Sequence, residues 1–169
     1  MPSKKDLMRV YLDNSTIEPW FEAILIEGKH MKTPGFIQFL IVHKEIEKFI
    51  SSFTVAELVE KLMFHTEKVR PFMKKLELIE GFVNTFQQTI PNLTIIEEEQ
   101  APNGQRGLFI SVPELIQFTA KIGDIKDAIH VCIAKHEDLY LVTKDDNIGR
   151  VQDIYQRTVG MVGFMKAFE

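Results

Sequence analysis

The sequence has little cysteine and no long apolar run, and both features exclude classes of protein. Among its 169 residues Cys132 is the one cysteine, which excludes an internal disulfide and a zinc site made from a cysteine cluster. No uninterrupted apolar stretch approaches the ~20 residues of a membrane helix, so we expect no membrane span. Residues 1–6 lack the apolar core of a secretory signal, and a single thiol suits a reducing compartment, so we expect a cytoplasmic protein.

Basic residues are outnumbered in this chain. It has 20 Lys and Arg against 24 Asp and Glu, a formal net charge of −4. This balance disfavours a protein that holds nucleic acid by bulk positive charge, and leaves open an enzyme that grips it through a local patch. The composition, 45% hydrophobic and 26% charged, is that of a globular protein. The length suits one domain, so we expect residues 1–169 to form a single domain.

Segments typical of strands alternate with segments typical of helices. The predicted strands are residues 8–12, 51–53, 93–96 and 139–143. The predicted helices are residues 36–50, one beginning at Thr54, one from Pro71 to Gly81, residues 113–121, residues 124–136 and one from about Ile148. This alternation predicts a helix-rich α/β fold, an α/β/α sandwich with a mostly parallel central sheet.

Four acidic residues follow strands or begin helices at one edge of the predicted sheet. Asp13 follows the first strand, and Asp145 lies two residues past the strand at 139–143. Glu57 and Asp127 occupy the first turns of helices. Strand C-termini and helix N-termini share one edge of an open parallel sheet, and sites form at that edge. We therefore expect the four side chains to meet in one cleft.

Four carboxylates in one cleft repel one another. Two unit charges 4 Å apart repel by about 4 kcal/mol at an effective dielectric near 20. Such a cluster is tolerable only if some of its members are protonated or a cation lies among them. Oxygen ligands suit Mg²⁺ or Mn²⁺, and a divalent ion held by carboxylates at an open cleft is suited to phosphodiester hydrolysis.

Each acid also has a purely structural interpretation as a helix cap. Thr54 and Glu57 match the capping box S/T-x-x-E, in which Glu57 only bonds the Thr54 backbone. Asp124 and Asp127 have the same spacing. The other acids to which a capping role is open are Asp13, Asp145 and Asp146. The alternative hypothesis is therefore a non-catalytic module that binds a protein or RNA.

Four blocks of the sequence resemble the PIN-domain nucleases, particularly the VapC-type members found in toxin–antitoxin pairs. The blocks are residues 10–15 (VYLDNS), 52–58 (SFTVAEL), 127–130 (DAIH) and 141–147 (LVTKDDN). They resemble the family's strand ending in Asp with Ser or Thr two residues on, its S-x-x-T-x-x-E-L element, its D-A-(I/L)-(I/H) helix and its strand ending T-x-D-x-D/N. All four occur in the family's order. The resemblance covers residues 8–17, 51–62 and 124–153.

This resemblance implies a PIN-like ribonuclease that uses Mg²⁺ or Mn²⁺. The implied catalytic and metal-binding acids are Asp13, Glu57, Asp127 and Asp145. Asp13 and Asp127 would contact the metal directly, while Glu57 and Asp145 would orient water or hold a second ion. The implied supporting residues are Ser15 and Thr143, which would brace the site by hydrogen bonds, with Asn147 and Asp146 beside it.

The implied partners are an RNA substrate, an antitoxin protein and a second copy of this chain. The apolar segment 36–50 has more large side chains than one helix face requires, so we expect part of it to form a homodimer surface. His130 is interpreted as a satisfied histidine at a helix interface in preference to a metal ligand. Arg150 is one candidate for a phosphate contact. A third hypothesis, a phosphohydrolase with Asp13 as a covalent nucleophile, lacks the D-x-D signature of one such class because Ser15 occupies its second position.

Overall fold

The central sheet of the computed structural model consists of five parallel strands. The structure describes residues 2–21, 35–66, 72–97, 99–100, 106–107, 110–144, 146 and 148–169. The strands are β1 (Arg9–Leu12), β2 (Glu47–Ser51), β3 (Leu93–Ile96), β4 (Glu99–Gln100), β5 (Arg106–Gly107), β6 (Tyr140–Thr143) and β7 (Thr158–Gly160). The sheet has the order β3-β2-β1-β6-β7, and β4 and β5 form a separate antiparallel pair. The expected mostly parallel sheet is confirmed.

Helices cover both faces of this sheet. They are α1 (Asn14–Phe21), α2 (Gly35–Val42), α3 (Ser52–Thr66), α4 (Phe72–Thr89), α5 (Val112–Ile122), α6 (Ile125–His136), α7 (Ile148–Val151) and α8 (Met161–Lys166), with a 3₁₀ turn at Asp6–Met8. One core packs α1, α2, α4 and α8 against the sheet, and a second core packs α5 and α6 against its other face. The architecture is the predicted α/β/α sandwich. Among the described residues, no helix is long and apolar enough to cross a membrane.

The strand β1 lies at the centre because both of its faces are apolar. Val10 and Leu12 belong to one core, whereas Tyr11 points into the other, as the two-residue period of a strand requires. All three side chains are fully buried. A strand covered on both faces in this way is typical of parallel sheets.

The order in which strands are added to the sheet reverses between β1 and β6. From β1 the strands proceed outward to β2 and β3 on one side, and β6 and β7 continue on the other. The main-chain amide of Asp13 donates to the Val142 carbonyl at 3.2 Å, which ties the end of β1 to β6. In open α/β sheets ligands bind beyond the strand C-termini at such a switch point. The fold therefore places Asp13 where a site is expected.

The predicted helix over residues 36–50 is wrong beyond Val42. α2 ends there, and Glu47–Ser51 forms β2, which pairs in parallel with β1 and β3. A short apolar run does not distinguish a buried strand from a helix by periodicity, and the sheet decides it by satisfying the backbone on both sides. The strand expected at residues 51–53 is correspondingly displaced, since Ser52 and Phe53 begin α3.

The predicted helix end at Gly81 is also wrong. α4 continues through Gly81 to Thr89, although a glycine inside a helix costs about 1 kcal/mol relative to alanine. Phe82 and Phe86 follow one turn apart, are buried, and contact Trp20 with ring centroids 5.7 and 5.4 Å away. This aromatic packing outweighs the local preference. The expected helix start at Pro71 lies outside the described residues.

A lysine is fully buried at the opposite edge of the sheet from Asp13. Lys48 of β2 has no exposed surface, and its Nζ donates to the carbonyls of His43 at 2.6 Å and Pro91 at 2.9 Å. Burial lowers the pKa of Lys48 from 10.5 to about 8. A neutral amine still has two N–H donors, which match the two carbonyls. Lys48 thus links the segments that precede β2 and β3.

The stability of the protein should rise with pH above about 8 because of Lys48. Its pKa is about 8 in the folded state against an ordinary 10.5, so between these values the unfolded chain binds more protons than the folded one. The rise is at most about 1.4 kcal/mol per pH unit. Urea unfolding of the wild type and of Lys48→Met from pH 7 to 10 measures this rise. The free energy of unfolding of the wild type should increase with pH relative to that of the variant. A difference that does not change with pH would contradict the prediction.

Candidate active site

Asp13 is held at the end of β1 by the first turn of α1 and by β6. Its side chain is buried, with 4% of the residue exposed. The hydroxyl of Ser15 donates to Asp13 Oδ1 at 2.6 Å and lies 3.4 Å from the hydroxyl of Thr143. The Lys144 amide donates to Ser15 Oγ at 3.1 Å, which fixes the hydroxyl from the other side. Two neighbouring strand ends therefore fix the orientation of one carboxylate.

Asp127 occupies the first turn of α6, which brings it to the same edge. Asp124 caps this helix, since its carboxylate accepts from the amides of Lys126 at 2.7 Å and Asp127 at 3.2 Å. The capping interpretation is thus correct for Asp124. The side chain of Asp127 is 21% exposed, and its Oδ2 lies 3.9 Å from Nη2 of Arg150. Asp127 is the more accessible of the two carboxylates.

The pocket disfavours negative charge on both residues. Burial raises the pKa of Asp13, and the nearby His130 and the hydrogen bond from Ser15 oppose that rise. Burial also raises the pKa of Asp127, and the charges of Asp124 and Asp13 add to the effect. Asp13 and Asp127 are therefore close enough to sense each other's charge. A cation between them would relieve both burial and repulsion.

Glu57 is bound to a histidine and does not complete a capping box with Thr54. Its Oε2 lies 2.6 Å from Nε2 of His130, and both residues are buried. The reciprocal cap of α3 is formed one turn earlier, where the Thr54 amide donates to Ser51 Oγ and the Ser51 amide donates to Thr54 Oγ1, each at 3.3 Å. The capping-box interpretation of Glu57 is therefore wrong. Its carboxylate is available to the site.

His130 connects the three described acids. It is 3% exposed, its Nδ1 lies 2.8 Å from the Tyr11 hydroxyl, and its Nε2 contacts Glu57. Its charge also lowers the pKa of Asp13 and of Asp127. Both ring nitrogens are engaged, as the interpretation of a satisfied interface histidine requires. Glu57 thus contacts the imidazole directly, and Asp13 and Asp127 lie within reach of its charge.

The remaining predicted site residues are less defined. Asp145 and Asn147 lie outside the described residues, so their predicted roles stay predictions. Asp146 is described and is exposed to solvent.

Four cations lie near these acids, and they are called here the cationic rim. Its members are Lys61, Lys126, Lys144 and Arg150. Burial lowers the pKa of Lys61, and the charges of Lys144 and Lys126 lower it further, so both of these lysines lie within electrostatic reach of Lys61. Lys61 and Lys126 form ion pairs with Glu18 and Glu60. The rim therefore places four cations beside the acids of the site, and Lys61, Lys126 and Arg150 each lie near a carboxylate.

The pocket suits a divalent ion in one specific mode. In the part of the chain that the structure describes, no group of three or more His, Cys, Asp or Glu residues is placed to hold a metal. An all-protein cage is therefore not formed by these residues. Mg²⁺ is usually bound through one or two carboxylates and keeps several waters or substrate phosphates. Asp13 and Asp127 are the residues that would supply the two carboxylates of that mode.

Sequence reasoning missed the rim lysines and the role of Tyr11. Lys61 lies four residues after Glu57 on α3, Lys126 precedes Asp127, and Lys144 follows Thr143. Adjacency to the predicted acids was the available signal for all three. Tyr11 precedes Asp13 by two residues, so the strand period places both on one face.

The comparisons with known proteins bear on the fold alone. No family model matches the chain, and no curated protein matches it. The chain is similar to the crystal structure of PAE2754 from Pyrobaculum aerophilum, with a TM-score of 0.53 and 14% sequence identity over 95% of this chain and 96% of that chain. The likeness agrees with an α/β sandwich with a parallel sheet. The resemblance to PIN-domain nucleases stays a prediction.

Asp13→Asn should raise the melting temperature at pH 7. Because the folded pKa of Asp13 lies above 3.8, the folded protein binds more protons than the unfolded chain above that pH, and stability falls as pH rises through this window. Asparagine removes the charge and keeps an acceptor for Ser15. Each 1 kcal/mol gained raises the melting temperature by about 2–4 °C in a chain of this size.

Scanning calorimetry measures this shift, with the exposed Asp153→Asn as a control that should leave the melting temperature unchanged. A melting temperature below that of the wild type for Asp13→Asn would show that the carboxylate stabilises the fold.

Proposed function

We propose that the protein is a metal-dependent endoribonuclease that hydrolyses RNA phosphodiester bonds in the cytoplasm. The observation that carries the proposal is the pair Asp13 and Asp127, two mutually repelling carboxylates at the switch point of a parallel sheet. A pair of this kind, one carboxylate buried and the other half-buried, destabilises the fold at neutral pH, which is typical of sites kept for function. Its position under the cationic rim supports a phosphate-containing substrate.

Each described residue has a role in this proposal. Asp13 and Asp127 hold the Mg²⁺ or Mn²⁺ ion, and Ser15 and Thr143 keep Asp13 oriented. The bound ion neutralises phosphate charge and lowers the pKa of water. Glu57, whose carboxylate is fixed by His130, would orient the attacking water.

The cationic rim supports RNA as the substrate. Lysine and arginine side chains make the sequence-independent contacts to the phosphates of nucleic acids. The protein as a whole is acidic, so a local group of four cations at the pocket is the arrangement that a transient grip on RNA requires. The further proposals, an antitoxin protein as partner and a homodimer, depend on the resemblance to VapC-type PIN nucleases.

Purified protein should cleave a fluorescent single-stranded RNA with Mg²⁺ or Mn²⁺ and should stop when a chelator is added. Asp13→Asn and Asp127→Asn should each reduce the rate at least about 100-fold, the factor that corresponds to a loss of several kcal/mol of charge stabilisation. The matched control is Asp124→Asn, which changes a neighbouring acid and retains a good N-cap. Cleavage at wild-type rates by both site variants would refute the assignment.

RNA binding should depend on salt through the rim. In the cleavage-deficient Asp13→Asn background, adding Lys144→Ala should reduce the slope of log affinity against log salt concentration by about 0.7, the value for one phosphate contact to a single strand. Lys121→Ala, a change of an exposed lysine on α5, should leave the slope unchanged. Fluorescence anisotropy from 50 to 300 mM KCl gives both slopes, and equal slopes for the two variants would exclude Lys144 as a phosphate contact.

Two observations favour the alternative, a non-catalytic module that binds RNA or protein. Within the described ranges no three-donor metal group exists, and Asp124 acts as a helix cap. This alternative predicts no heat of Mn²⁺ binding and no cleavage, with RNA affinity unchanged by Asp127→Asn. Calorimetry and the cleavage assay together distinguish the two functions.

A further inference from the structure

A chain of buried hydrogen bonds leads from the start of α3 to the Glu57 carboxylate. The Tyr11 hydroxyl lies 2.7 Å from Ser51 Oγ, 3.2 Å from Thr54 Oγ1 and 2.8 Å from His130 Nδ1. His130 Nε2 continues the chain to Glu57 Oε2 at 2.6 Å. All five residues are buried or nearly so, with Tyr11, Ser51 and Thr54 at 0% exposure. A fully connected buried network of this kind fixes the orientation of every member.

One feature of the protonation pattern is fixed by these contacts. The Glu57 carboxylate can only accept, so His130 carries a proton on Nε2 and donates it to Glu57. The other ring nitrogen, Nδ1, shares a hydrogen bond with the Tyr11 hydroxyl, which is also bonded to the Ser51 and Thr54 hydroxyls. Aromatic packing also holds the imidazole, because the Phe53 ring packs edge-on against the His130 ring with the two centroids 5.2 Å apart. The ring therefore has one orientation, with a proton on Nε2.

The network and the acids occupy the same three elements. On β1 Tyr11 lies two residues before Asp13, and on α6 His130 lies three residues after Asp127. On α3 Thr54 lies three residues before Glu57. Each spacing places the network residue and the acid on one face of its element. A change in the network therefore displaces the acids relative to one another.

We propose that Tyr11 and His130 are positioning residues, which fix the Glu57 carboxylate against the pocket of Asp13 and Asp127 and so set the affinity of that pocket for a divalent cation. This inference rests on the proposed function. Partners that orient a metal site from behind typically change metal affinity or activity 10–100-fold when they are removed.

Calorimetric titration of the wild type with Mn²⁺ alone is the first measurement. Tyr11→Phe removes one hydroxyl and keeps the ring in the core, and it should weaken Mn²⁺ binding about 10-fold. His130→Ala should weaken it 10–100-fold. His130→Gln retains a side-chain N–H for Glu57 and should recover part of the loss, which a purely space-filling role of the imidazole would not produce.

The matched control is Tyr155→Phe. Tyr155 is also buried, and its hydroxyl donates to the Leu139 carbonyl at 2.6 Å in the same core as Tyr11. Removing that hydroxyl should lower stability and leave Mn²⁺ affinity unchanged. Equal weakening by Tyr11→Phe and Tyr155→Phe would overturn the inference, because it would show a general effect of stability.

A second readout needs neither metal nor RNA. The ¹⁵N chemical shifts of the His130 ring should report the Nε2–H tautomer in the wild type and a changed Nδ1 environment in Tyr11→Phe. An Nδ1–H tautomer in the wild type would overturn the inference. If the wild type binds Mn²⁺ and both Tyr11→Phe and His130→Ala bind it with the same affinity, the inference is refuted and the proposed function stands. A wild type that binds no Mn²⁺ and cleaves no RNA would refute both.

Discussion

The structure of the candidate site depends on the placement of one imidazole among buried carboxylates. Asp13, Glu57 and Asp127 come from β1, α3 and α6, and each is bonded to His130 or lies within reach of its charge. Carboxylates at these positions would repel one another and lose hydration. The fold compensates them through His130, through Arg150 near Asp127 and through hydroxyl donors, and a divalent ion would complete that compensation.

The topology explains why this collection of residues could be predicted from the sequence. Parallel strands joined by helices bring strand C-termini and helix N-termini to one edge, so Asp13 lies within electrostatic reach of Asp127 although they are 114 positions apart in the sequence. The spacing of Tyr11, Thr54 and His130 from the neighbouring acids follows from the periods of strand and helix. The sequence does not reveal which groups form hydrogen bonds with each other. For Glu57 the spacing allows two partners, the Thr54 backbone and His130.

The errors of the fold prediction have a common physical cause. Residues 47–51 and Gly81 were assigned from local patterns, and in both places tertiary contacts decided otherwise. β2 is stabilised by pairing with a strand on each side, and α4 continues because Phe82 and Phe86 pack on Trp20. The net charge likewise gives no sign of the rim lysines, because a net charge summed over the whole chain does not show where individual charges lie. Fold likeness adds no function, because sandwiches of this kind support many chemistries.

The proposed function requires Asp13 and Asp127 to bind one divalent ion together. The most direct test is the anomalous difference density of a crystal soaked in Mn²⁺. We expect a single strong peak about 2.1 Å from a carboxylate oxygen of Asp13 and of Asp127, near the rim lysines. Density at another place, or none at this pocket under Mn²⁺ concentrations that saturate ordinary sites, would contradict it.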